Sequence, residues 1–105
     1  MGLNGVQWDR NKAAQNLAKH HVSFETAQYV FLDPDRLERF DLSENNRAGE
    51  ERWQVLGNVE DTLLVVYQDK ATARRLISAR LATKAEKRSY YGYYQIDGKG
   101  WTKAE

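Results

Sequence analysis

Residues 62–68 read Thr-Leu-Leu-Val-Val-Tyr-Gln and hold the longest apolar run in the chain. A short unbroken run of this kind, rich in branched and aromatic side chains, predicts a strand buried on both faces. Turn-forming residues flank it at 58–61 and 69–72. The runs on either side, 51–59 and 73–81, also have strand character, so we expect a three-stranded antiparallel meander.

Upstream of these strands, the apolar residues recur with helical spacing. Asp9 and Ser23 are both suited to cap a helix, because their side-chain oxygens can accept hydrogen bonds from backbone N–H groups of the first turn. We therefore predict helices over about 10–20 and about 24–32, the second ending before Pro34.

Downstream of the meander, Thr83 and Glu86 have the spacing of a capping box, which predicts a helix from Thr83 to about Tyr94. The remaining segments are assigned as a short first strand at 6–8, a weak strand at 36–41, an exposed loop at 42–50 and a loose tail at 97–105.

Together these elements predict one α+β domain over residues 1–96. A small, mainly antiparallel sheet would carry two N-terminal helices and one C-terminal helix. A length of 105 residues suits a single domain. The chain has no cysteine, no apolar run of membrane-spanning length and no apolar signal-peptide core, so we expect a cytoplasmic protein without membrane association.

Basic residues are concentrated in one segment, although the whole chain has a net charge of only +1. Residues 70–88 contain seven Lys and Arg residues and a single acidic residue, Glu86. Two interpretations fit this pattern. The charges are either ordinary solvated side chains on a strand and a helix, or part of a surface that binds phosphates.

Strand alternation places Ser78 and Arg80 on the more open face of the 73–81 strand, and Arg52 joins them if the neighbouring strand has a suitable register. Guanidinium groups on that face would stabilise the charge that develops on phosphate oxygens during nucleophilic attack. The alternative is a structural ion pair of Arg80 with Glu51 or Glu86.

The two histidines of the chain, His20 and His21, follow Lys19 at the predicted end of the first helix. Imidazole is suited to move the proton of a ribose 2′-hydroxyl at neutral pH, and helix capping or packing is the alternative. Adjacent histidines without cysteine do not have the spacing of a zinc site. The tyrosines of the last helix, Tyr90 among them, would either stack on unpaired bases or dock that helix on the sheet.

Several short motifs follow one another in a specific order. They are Trp8-Asp9, Lys12, Asn16, Lys19-His20-x-Val22-Ser23-Phe24-Glu25-x-Ala27, Glu51-Arg52, Gly57, Arg75-Leu76-Ile77-Ser78-Ala79-Arg80-x-Ala82-Thr83-x-x-Glu86 and Tyr90. Over roughly residues 6–91 this set resembles the BrnT toxin family, which implies a RelE-like fold. The resemblance also implies an endoribonuclease toxin of a type II toxin–antitoxin module, which inhibits translation and is neutralised by a BrnA-like ribbon-helix-helix antitoxin. The two proteins would form a multimer, and operator DNA would be bound only through the antitoxin.

Carried over by position, the resemblance assigns the reaction to Lys19, His20, Glu51, Arg52 and Arg80. His20 or Glu51 would take the 2′-hydroxyl proton, and the product would be a 2′,3′-cyclic phosphate. Arg52 and Arg80 would stabilise the phosphorane, while Lys19 would hold the flanking phosphate. No metal or cofactor is implied. The residues expected to bind RNA are Arg74, Arg75, Ser78, Lys84, Lys87, Arg88 and Tyr90.

One position departs from the family pattern. The family usually has glycine after the Lys-His pair, and this chain has His21, which does not readily adopt a positive φ, so we expect a different helix end. Two other functions stay open. One is a catalytically weak module of the same fold that binds RNA or the antitoxin, and the other, which no motif supports, is an enzyme acting on a small molecule.

Overall fold

The computed structural model describes residues 3–41, 51–70, 72–92 and 100–104. This part of the chain is α+β, and the predicted loop at 42–50 lies outside it. In chain order its elements are β1 (Val6–Trp8), α1 (Arg10–His20), α2 (Phe24–Ala27), a 3-10 helix (Gln28–Leu32), β2 (Leu37–Phe40), β3 (Arg52–Val59), β4 (Asp61–Lys70), β5 (Ala73–Leu81), α3 (Lys84–Tyr91) and β6 (Thr102–Lys103).

The six strands form one sheet in the order β1-β5-β4-β3-β2-β6. β3, β4 and β5 make the predicted antiparallel meander. β1 pairs with β5 in parallel, so the sheet is mixed, and the expectation of a mainly antiparallel sheet is corrected. The physical reason is the long connection between β1 and β5. A chain that crosses over the sheet through a helix can return to lie parallel with its first strand.

Two local capping interactions fix where the N-terminal helices begin. The Asp9 side chain accepts from the backbone N–H of Lys12, and the Ser23 side chain accepts from that of Thr26, as expected of N-cap residues. The predicted bounds of the first helix are therefore confirmed.

The second predicted helix is only partly α-helical, because residues 28–32 tighten into the 3-10 helix. Phe24 and Ala27 of α2 and Val30 of the 3-10 helix are all fully buried, so both parts contribute to the same apolar core.

α1, α2 and the 3-10 helix cover one face of the sheet, here called the front face, where Val55, Val65 and Ala79 belong to the larger apolar core. The 3-10 helix lies directly on Gly57, since a Cβ at that position would be 2.8 Å from the Cβ of Val30. A side chain at position 57 would push the helix off the sheet.

The opposite, back face of the sheet carries a smaller apolar core. Leu37, Leu56 and Leu64 are buried there together with Trp101, and Tyr90 of α3 packs against them. Burial of Trp101 and pairing of β6 with β2 correct the expected loose tail for residues 100–104. Composition alone suggested looseness, whereas one large aromatic side chain holds this segment on the sheet.

α3 begins with the predicted capping box. The Thr83 hydroxyl accepts from the Glu86 N–H, and the Glu86 carboxylate accepts from the Thr83 N–H. The helix ends at Tyr91, with Gly92 as its C-cap, rather than near Tyr94, which lies outside the described residues. In the described ranges, no helix has the length and apolarity that a membrane crossing requires.

Candidate functional site

Strand β5 extends past its neighbour β1, and this leaves one edge of the sheet open. Trp8, the last residue of β1, is opposite Leu76, so among the described residues no strand lies beside β5 on that side from Ile77 onwards. A bulge begins at the same point. Ser78 is opposite Val66 and Leu76 is opposite Tyr67, so Ile77 is an extra residue in β5.

A cleft of about 160 Å³ lies between this open edge and α1. Its wall on β5 consists of the bulge residues Ile77 and Ser78. Its wall on α1 consists of residues at helical spacing on one helix face, which are Lys12, Gln15, Asn16, Lys19 and His20.

The cleft is cationic and open to solvent. Lys12 and Lys19 are exposed, and neither has a carboxylate partner within the described part of the chain. Lys19 and His20 occupy the last turn of α1, where the partial negative charge of the helix end favours cations. The site therefore combines positive charge with a partly buried imidazole.

The profile of the family described as "Ribonuclease toxin, BrnT, of type II toxin-antitoxin system" matches residues 8–86, which is more than half of the chain. This chain belongs to the BrnT family. Among solved structures it is similar to the 1.1 Å crystal structure of the Brucella abortus ribonuclease toxin, BrnT. The two are 22% identical with a TM-score of 0.56, over 80% of this chain and 99% of that chain, and this similarity supports the fold. No curated protein matches.

Two of the five residues predicted to carry the reaction in this BrnT chain, Lys19 and His20, line the cleft, together with the predicted RNA-binding residue Ser78. Glu51 is exposed and directly precedes β3, away from the cleft wall.

The predicted arginines Arg52 and Arg80 share the back face but lie far apart. Arg52 is opposite Gln68, which is opposite Arg75, whereas Arg80 is level with Leu56 across β4. Two strand spacings and four residues separate the two Cα atoms, or roughly 16 Å. Neither arginine lines the cleft.

Arg80 is held by an ion pair with α3. Its two terminal nitrogens donate to the two Glu86 carboxylate oxygens at 2.8 and 3.0 Å. Burial alone would raise the pKa of Glu86, but the hydrogen bonds from Arg80 and Thr83 outweigh burial and lower it. The structural ion pair, one of the two interpretations of Arg80, is thus present in the fold.

Tyr90 docks α3. Its hydroxyl donates to Asp33, which also accepts from the backbone N–H groups of Asn58 and Asp35. Burial would raise the pKa of Asp33, but these hydrogen bonds lower it below its usual value of 3.8. Burial and the Asp33 carboxylate raise the pKa of Tyr90.

The other predicted RNA-binding residues are dispersed. Arg74 lies over the Phe31 ring on the front face, with its Cζ 4.5 Å from the ring centre. Arg75 is on the back face, and Lys87 pairs with Asp61 at 3.3 Å. Lys84 and Arg88 are exposed on α3.

Sequence reasoning did not assign a role to Lys12, Gln15 or Asn16, although they line the same cleft. Their spacing from Lys19 and His20 was a usable signal, because residues three, four, seven and eight apart share one helix face. His21 also differs from expectation. It adopts the left-handed conformation at φ 60°, so the helix ends as it would with glycine.

Proposed function

We propose that this BrnT chain is an endoribonuclease that cleaves RNA in the α1–β5 cleft without a metal ion, by attack of the ribose 2′-hydroxyl. The observation that carries the proposal is that His20 lines the cleft together with Lys12 and Lys19, two lysines that have no acidic partner in the described ranges. A phosphodiester supplies the missing negative charge, and the imidazole supplies a base.

In this mechanism His20 accepts the proton of the 2′-hydroxyl while the 2′-oxygen attacks phosphorus. The bond from phosphorus to the 5′-oxygen breaks, and that oxygen leaves with a proton from solvent. The products are a 2′,3′-cyclic phosphate and a free 5′-hydroxyl. Lys19, one residue away, holds the phosphate and offsets the charge that grows on its oxygens.

Glu51, Arg52 and Arg80 have support for direct roles in the reaction from the family resemblance alone. Arg80 would bind a phosphate by exchanging Glu86 for it, because carboxylate and phosphate are both bidentate acceptors for a guanidinium group. RNA that leaves the cleft over Ser78 would meet the back face of β5, where Arg75 and Arg80 lie.

We further propose a BrnA-like ribbon-helix-helix antitoxin as the partner of this chain in the cytoplasm, with assembly into a multimer and operator binding through the antitoxin only. The family is one of type II toxin–antitoxin systems, which supports a protein antitoxin. Co-expression with the product of the adjacent reading frame should give a complex that co-elutes on size exclusion and no longer cleaves RNA.

The alternative is a catalytically weak module that binds RNA or the antitoxin, and the dispersal of the predicted arginines favours it. Purified chain should be incubated with single-stranded RNA in excess EDTA, and with the same strand carrying 2′-deoxyribose at the cleaved position. Cleavage of the first strand alone, with a cyclic phosphate identified by mass spectrometry, is expected. Binding without cleavage would instead favour the module.

A further inference from the structure

The open edge of β5 needs a hydrogen-bonding partner, and Asn16 of α1 supplies one. Ala79 lies beyond the end of β1 and is fully buried. The Asn16 Oδ1 accepts from the Ala79 N–H at 3.0 Å, and the Asn16 Nδ2 donates to the Ala79 carbonyl at 2.9 Å. A side-chain carboxamide thus takes the place of the peptide groups of a neighbouring strand.

The same side chain also fixes the chain reversal after α1. Asn16 Nδ2 donates a second hydrogen bond, to the carbonyl of Val22 at 2.9 Å, directly after the left-handed residue His21. Both amide hydrogens and one lone pair are therefore used, and the side chain is buried. Asn16 has little capacity left to bind a substrate.

Asn16 precedes Lys19 and His20 by three and four residues on the same helix face. Its bonds to Ala79 set the distance between that face and Ser78, on the opposite wall of the cleft. We propose that Asn16 is a positioning residue for RNA cleavage, which holds Lys19 and His20 against the edge of β5 without contacting the RNA. This inference rests on the proposed ribonuclease function.

Loss of positioning should affect the reaction more than the binding of RNA. Attraction between the lysines and RNA depends on charge, which a neutral substitution of Asn16 retains. Proton transfer by His20 depends on geometry, and a displacement of about 1 Å can cost about 100-fold in rate. We therefore expect kcat to fall while KM changes little.

The test compares Asn16→Ala with Gln28→Ala. Gln28 is also a buried carboxamide that donates to a backbone carbonyl, that of Glu25, and accepts from a backbone N–H, that of Leu3, but it does not line the cleft. Under conditions where circular dichroism finds both variants folded, Asn16→Ala should lower kcat about tenfold or more with KM within about threefold. Gln28→Ala should change neither constant by more than about twofold. Unchanged kcat in Asn16→Ala, or an equal loss in both variants, would overturn the proposal.

Two further experiments distinguish failure of this proposal from misfolding of the variant and from failure of the proposed function. If Asn16→Ala does not fold, Asn16→Ser, which retains one hydroxyl for the Ala79 edge, replaces it. If the unmodified chain cleaves no RNA, the proposed function fails, and positioning is then tested by NMR at one fixed pH. Asn16→Ala should shift the ring resonances of His20, because the ring moves relative to β5, and Gln28→Ala should not. Ring resonances that stay unchanged in both variants would reject the positioning role on its own.

Discussion

α1, which packs on β5, and α3, which follows β5 in the chain, use charged side chains differently. α3 is tied to the sheet by two ion pairs, of Glu86 with Arg80 and of Lys87 with Asp61, while Lys84 and Arg88 of the same helix are exposed. At α1, Lys12 and Lys19 line the cleft and have no acidic partner in the ranges that the structure describes. The paired charges of α3 hold that helix in place, whereas the cleft-lining charges of α1 are available to a ligand.

The comparison also separates two kinds of basic segment that look alike in sequence. α1 and α3 each contain three Lys and Arg residues, yet α3 is the helix whose carboxylate and tyrosine anchor it to the sheet. Local charge excess is therefore a weaker guide to a phosphate site than the absence of a nearby acid.

The largest effect is expected from His20→Ala, which removes the proposed base from the uncompensated cleft. Single-turnover cleavage should fall by about 100-fold or more, in the range that general base catalysis contributes. The adjacent His21→Gly is the control. Glycine suits the left-handed backbone at that position, so cleavage should stay within about twofold of the unmodified chain. Equal losses at positions 20 and 21 would place the chemistry elsewhere.

Lys19→Ala should weaken RNA binding rather than abolish it. For a 2′-deoxy strand that cannot be cleaved, the slope of log Kd against log salt should become shallower by about 0.7, the value for one lost phosphate contact on a single strand. Lys87→Ala, which removes a cation already paired with Asp61, should leave the slope unchanged. An equal change of slope in Lys87→Ala would show that ion-paired lysines also bind RNA, and would contradict the distinction between α1 and α3.

Arg80→Ala should lower stability more than it lowers activity. Removing the bidentate partner of Glu86 should cost about 1–2 kcal/mol in the free energy of unfolding, measured by urea denaturation. Glu86→Gln retains a capping-box acceptor but loses the charge, so it should destabilise by a smaller amount. Cleavage by folded protein should change less than tenfold in both variants. A loss of cleavage in Arg80→Ala as large as that in His20→Ala would support a direct role of Arg80 in the reaction.

Tyr90→Phe should have the smallest effect, about 1 kcal/mol at neutral pH, because it removes one hydrogen bond to the Asp33 carboxylate. The pKa of Asp33 is lowered in the folded protein, so its stabilising contribution is present above 3.8 and is lost as pH falls through the lowered value. The stability difference between the variant and the unmodified chain should therefore narrow below about pH 4. Urea denaturation at neutral and acidic pH checks this, and a difference that does not depend on pH would contradict it.

The sequence predicts the strands and helices well where each depends on local signals. The apolar run of β4, the caps Asp9 and Ser23 and the box of Thr83 and Glu86 all act within a few residues of one another. Parallel pairing of β1 with β5 and the anchoring of Trp101 depend on contacts between distant segments, which periodicity does not report.

The candidate site divides in the same way. Lys19, His20 and Ser78 were predicted and lie together. The predicted alternation along β5 holds only from Ser78 onwards, because the bulge puts Arg75 rather than Leu76 on the face of Ser78. The separation of Arg52 from Arg80 could not be predicted, because it depends on the register of β3, β4 and β5. The sequence of a single strand does not show its register with its neighbours.

The extra residue at Ile77 changes the parity of β5. Arg75 and Ser78 share the back face although an odd number of steps separates them, and this is possible only because Ile77 interrupts the alternation. If Ile77 were deleted, the side chains on one side of the deletion would change faces of the sheet, so that charged Arg80 would replace buried Ala79 on the front face. The cleft at the edge of this sheet and the apolar core therefore depend on the same inserted residue.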